Sequence, residues 1–118
     1  MTLKEFEKII NLAVSRLPKE FKDILKKNQI KLIPRENPPA TVLERYKGKI
    51  VFGIFIGVPY GRFFNMQTEP TRIELYKSSF EQVFKSHQEM KNQIIKTVIH
   101  EIGHYFGFSE EGIRKLGY

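Results

Sequence analysis

The stretch H-E-I-G-H-Y-F-G-F-S-E, residues His100 to Glu110, decides how the rest of the chain is read. Its pattern is H-E-x-x-H-x-x-G-x-x-E. On a helix, His100 and His104 fall one turn apart on the same face, about 6 Å from each other. Two imidazoles so placed can hold one tetrahedral zinc ion. Glu101 falls about 100° around the helix from His100. There it can reach a water on the metal but is not placed to be a ligand. Gly107 can adopt positive φ and turn the chain out of the helix. The turn can bring Glu110 back toward the metal as a third ligand, with Glu111 as the alternative. Three protein ligands leave a fourth position open, which is what a catalytic zinc needs and a structural zinc lacks.

The residues before the motif support a long helix. Ser86 and Glu89 have the spacing of a capping box. From there to Phe106 the chain has no Pro and a single Gly, Gly103. Ile94, Ile95, Val98, Ile99, Ile102, Tyr105 and Phe106 fall on one broad arc, and Gln93, Thr97, His100 and His104 on the opposite one. One face is therefore expected to pack on a core and the other to floor a cleft. The third histidine, His87, stands thirteen residues before His100. That is about 20 Å along a helix, so it reads as a solvated helix start and not as a ligand.

Working outward, Thr2 and Glu5 again have capping-box spacing and open a helix with Leu3, Phe6, Ile9, Ile10, Ala13 and Leu17 turned inward. Pro18 starts a second, short helix carrying Phe21, Ile24 and Leu25. Gln29 to Ile33 reads as a strand and Pro34 to Ala40, with three Pro, as a loop. Ile50 to Val58 reads as the strongest strand, and its Gly53 and Gly57 imply close approach by another element. Pro59 to Pro70 is expected to be a loop, and Thr71 to Tyr76 a strand with Ile73 and Leu75 on one face. A short helix near Phe80 to Phe84 follows, then the motif helix and a terminal helical turn after Ser109. Helices flank the strands without alternating regularly with them, so the expected class is α+β.

Length and composition fit one domain over residues 1–118 with a modest core. The longest apolar run, Ile50 to Val58, is far too short to span a membrane, so no membrane partner is expected. Lys4, Glu5 and Glu7 interrupt the first segment before any apolar block, and there is no Cys. Both features fit a cytoplasmic protein, and the second leaves His and carboxylate to carry any metal site. The net charge of +7 is uneven. Residues 1–49 carry twelve Lys and Arg against six Asp and Glu, and residues 50–118 carry eight against seven. The lysines are interleaved with acids and apolar residues, which reads as solvated helix faces and not as a nucleic-acid surface.

The motif resembles that of the zincin metallopeptidases. Over nearly its full length the chain is similar to the small bacterial proteins called minimal zincins. The similarity includes Gly57-Val58-Pro59, the pattern P-x-x-I-x-L-Y in Pro70, Ile73, Leu75 and Tyr76, and the ending L-G-Y. The resemblance implies zinc on His100 and His104, Glu101 as base, an acidic third ligand in Glu110-Glu111, and a small mixed sheet over the motif helix. The metzincins carry His or Asp where Glu110 stands and a later Met beneath the metal, whereas here no Met follows Met90. The base of the site is therefore expected to be built differently.

The leading reading is a zinc metallopeptidase that hydrolyses short or flexible peptides through an activated water, with Glu101 moving the proton. Tyr60, Arg62, Tyr76 and Tyr105 are the candidate oxyanion donors. Two alternatives compete. A zinc-dependent endoribonuclease would use nearly the same ligand spacing, but Glu101 and Glu110 add negative charge beside a phosphate. A non-catalytic zinc-binding module would have no use for Glu101.

Overall fold

The computed structural model describes residues 1–57 and 71–115, the side chain of Glu110 apart. The class is α+β, as expected. Helix α1 (Leu3–Ser15) begins at Thr2, whose hydroxyl accepts from the Glu5 N–H while the Glu5 side chain returns the bond, a complete capping box. Helix α2 (Lys19–Lys27) follows Pro18. Strand β1 (Lys31–Arg35), helix α3 (Ala40–Arg45), strand β2 (Gly53–Ile56) and strand β3 (Arg72–Tyr76) form the middle of the chain. Helices α4 (Lys77–Val83), α5 (His87–Tyr105) and α6 (Glu110–Lys115) complete it.

The sheet order is β1-β3-β2, with β3 parallel to β1 and antiparallel to β2. Ile73 and Leu75 face the helices and are fully buried, in one cluster with Phe6 and Ile10 of α1 and Ile94, Val98 and Ile102 of α5. The apolar arc of α5 is thus the core-facing one, as its periodicity requires. Phe55 of β2 joins it by packing on Tyr105, with ring centroids 5.6 Å apart.

Three sequence expectations are corrected. β1 runs on through Pro34, because a proline on an edge strand can leave its missing N–H outside the ladder. The segment after it is not all loop: Pro39 stands at the cap of α3, where lack of an N–H costs little. β2 is shorter than Ile50–Val58 and ends before Gly57, whose φ of +125° breaks the strand. The close approach expected at Gly53 is real, since a Cβ there would lie 2.7 Å from the Glu74 carbonyl oxygen of β3. The loop expected over Pro59 to Pro70 lies outside the described residues.

The sheet's other face carries a buried charge. Glu74 is only 2% exposed. Its Oε2 accepts from Arg35 and from Arg72, each at 3.0 Å, and its Oε1 accepts from the Tyr76 hydroxyl at 3.0 Å. Burial pushes the Glu74 carboxyl up, but the bonds from Arg35, Arg72 and Tyr76 outweigh it and hold the pKa below the ordinary value of 4.5. A carboxyl lowered by folding stabilises fully above its unfolded pKa and loses that contribution as pH falls through its folded pKa. Glu74→Ala is expected to cost about 1–3 kcal/mol at pH 7, less than a wholly buried pair because Arg35 can turn to water. In urea unfolding at a series of pH values, the gap between variant and wild type should narrow below pH 4.5. A gap unchanged across that range would contradict the assignment.

Candidate metal centre

Ser86 caps α5 through its hydroxyl, which accepts from the Glu89 N–H at 3.1 Å. The helix runs for nineteen residues and is closed by Phe106 and Gly107. Gly107 takes φ +85°, its N–H donates to the His104 carbonyl, and the Phe108 N–H donates to Gly103, both at 2.9 Å. This is a Schellman ending, and it reverses the chain as the glycine predicted. Phe21 of α2 stacks on Phe106 at 4.5 Å and touches Phe108 at 6.1 Å, pinning both sides of the turn. Gly103 has a role the sequence reading missed. A Cβ on it would meet Ile113 at 2.7 Å, so its bare backbone is what lets α6 pack on α5.

A cavity of about 500 Å³ opens over the polar arc of α5. His100, Glu101 and His104 line it together, with Gln93 and Thr97 further along the same arc. The opposite wall comes from Tyr46 and the segment from Lys49 to Gly53. His100 and Glu101 are half-buried and His104 is exposed. The motif helix therefore floors a cleft, with one face in the core and the other in the cavity.

Glu110 stands first in α6, three residues beyond the turn, and its side chain lies outside the described residues. Glu111 is exposed and sits 3.6 Å from Lys115 one turn on, and it does not line the cavity. Among the described residues no three His, Asp or Glu come together as a metal-holding group. His87 is exposed at the start of α5, away from the cavity, as its spacing implied.

Of the four candidate oxyanion donors, Tyr60 and Arg62 lie outside the described residues. Tyr76 is fully buried and its hydroxyl donates to Glu74, and Tyr105 is 3% exposed in the core. Neither lines the cavity, so both are withdrawn. The tyrosine that does is Tyr46, at the end of α3. Sequence reading passed over it because nothing local distinguishes it; its place in the cleft depends on how α3 sits against the distant motif helix.

Residues 28–118 match the family model described as zincin-like metallopeptidase. The chain belongs to the zincin-like metallopeptidase family. The matched region begins at Asn28 and so takes in the whole sheet, α5 and α6, while α1 packs on α5 from outside it. A comparison with curated proteins found no match. No described helix is long and apolar enough to cross a membrane.

Proposed function

We propose that this zincin-like chain is a zinc-dependent, cytoplasmic peptidase, with zinc held by His100, His104 and Glu110 and with Glu101 as general base. The observation that carries the reading is the opening of His100, Glu101 and His104 onto one cavity. The donor set fits zinc: two imidazoles one turn apart and nearby carboxylates give nitrogen and oxygen ligands, with no thiolate in the chain. When bound, zinc supplies a Lewis acid that makes water reactive near neutral pH and polarises the scissile carbonyl. Glu101 accepts the water's proton and returns it to the leaving amine, a service worth about 10²–10⁴-fold. Tyr46 offers a phenol hydroxyl on the opposite wall as a donor to the developing oxyanion.

The substrate is a short or flexible peptide. Gly53 of β2 lines the cavity opposite His100 and Glu101, so an extended peptide lying along β2 would pass beside the motif helix. A cavity of about 500 Å³ holds only a few residues of such a chain. The test is to offer the zinc-loaded protein a flexible peptide pool and a structured RNA side by side. Peptides should be cut and RNA left intact. RNA cleavage with intact peptides would replace this reading with a ribonuclease, and turnover of neither would leave a binding module.

The third ligand has its own test. Glu110→Ala should weaken zinc binding by at least about a hundredfold, more than loss of a mere outer partner costs. Glu111→Ala should leave affinity within about twofold, as expected for an exposed pair of little energetic weight. A larger loss in the second variant would reverse the choice.

A further inference from the structure

The metal cavity has two ends. Of the α5 residues that line it, His100, Glu101 and His104 lie toward the end of the helix. Gln93, Lys96 and Thr97 lie within about two turns before His100. The facing wall runs in the same direction. Phe55 packs on Tyr105, at the end of α5, with centroids 5.6 Å apart. Phe52 stacks on Phe80 of α4 at 4.7 Å and on Phe84, just before the Ser86 cap, at 5.9 Å. From Phe52 to Phe55 the chain therefore advances from the start of α5 toward its end. Lys49 comes three residues before Phe52 and lines the cavity from the side where α5 begins. That is the side of Lys96.

The backbones of both lysines are fixed. Lys96 stands in mid-helix. Lys49 closes a turn in which Gly48 takes φ +80° and the Lys49 N–H donates to the Tyr46 carbonyl at 3.0 Å. Both side chains are exposed, and each ammonium brings three N–H donors and no acceptor. Two such groups from facing walls suit a carboxylate, which has two acceptor oxygens. A cavity of about 500 Å³ holds only a few residues, so one end of a short peptide falls within it. Lysines repel the ammonium end of a peptide and attract its carboxyl end.

We propose that Lys49 and Lys96 bind the C-terminal carboxylate of the substrate, so that the protein removes one or two residues from the carboxyl end of a peptide. The spacing sets the count. Lys96 stands four residues before His100, about 6 Å along the helix. An extended peptide covers that in about two residues, at about 3.3 Å each. Hydrolysis adds one water across the amide: the acyl carbon takes the hydroxyl and the leaving amine of the short fragment takes the proton. The inference rests on the peptidase reading for its ligand, but its first test is a binding measurement and stands apart from turnover.

The probe is a pair of short flexible peptides, fluorescent at the N-terminus and alike in sequence, one ending in a free carboxylate and one in a carboxamide. Both are titrated into zinc-loaded Glu101→Gln protein, so that neither is cut. At low salt the free acid should bind about fivefold tighter, the scale of two partly exposed ion pairs. A double variant, Lys49→Met with Lys96→Met, should bring the ratio below about twofold. Both positions are exposed, so the exchange removes charge without removing core packing. Lys26→Met, exposed on α2, takes a charge from elsewhere and should leave the ratio intact. Zinc-loaded wild-type protein should release one- or two-residue fragments from the free acid faster than from the amide. Equal binding of acid and amide would overturn the proposal, as would a ratio that survives the double variant. A carboxamide peptide that gains as much from an internal Glu in place of Gln would also overturn it, in favour of a side-chain carboxylate. If the acid binds with the expected lysine dependence and the wild-type protein never cuts it, the peptidase reading falls and the carboxylate site stands. If peptides are cut internally with no preference for the acid, the peptidase reading stands and this inference falls.

Discussion

Glu101→Gln is expected to bind zinc as tightly as the wild-type protein and to hydrolyse peptides at least about a hundredfold more slowly, the lower bound of what a positioned acid–base group contributes. Gln has nearly the shape of Glu and can still hydrogen-bond, but it cannot accept a proton. Glu101 is half-buried at the cavity floor and lies outside the buried core, so the exchange should leave folding intact. The two readouts separate the roles. Zinc content follows the ligands, and the rate constant at saturating substrate follows the base. A variant that keeps zinc and full activity would remove Glu101 from the chemistry. A variant that loses both would make Glu101 part of the metal's support.

His104→Ala is expected to lower zinc affinity by at least about a hundredfold, since even groups that only support a ligand are worth about 10–100-fold. His104 is exposed on the polar arc of α5, so truncation removes no core packing. Thermal unfolding of the metal-free protein should therefore be nearly unchanged. His87→Ala, at the exposed start of the same helix, is the matched control and should retain full zinc affinity. Stoichiometric, tight zinc in His104→Ala would mean that the metal sits elsewhere.

The motif helix was the most legible part of the chain. Its apolar positions recur at helical spacing from Ile94 to Ile102, and each of them is buried. Ser86 and Gly107 marked its two ends through local chemistry, a side-chain cap and a left-handed turn. The strand carrying Ile73 and Leu75 was legible for the same reason, because alternation is a local signal. What the sequence hid depends on contacts between distant residues. Glu74 lies on the strand face that alternation assigns to solvent, yet it is buried, because Arg35, thirty-nine residues earlier, is brought beside it by the parallel pairing of β1 with β3. Tyr46 enters the cleft by the same kind of long-range arrangement. Prolines also misled. Pro34 and Pro39 read as loop residues, whereas an edge strand and a helix cap accept each of them without loss.

The central claim is that zinc on the α5 histidines and hydrolysis of peptides are one property. The most direct measurement titrates metal-free protein with zinc and follows bound metal and cleavage of a flexible peptide pool in the same samples. The account predicts that the two rise together and saturate at one zinc per chain, with cleavage absent from metal-free protein. Zinc that binds to saturation with no cleavage at any occupancy, or cleavage already complete before metal is added, would contradict it.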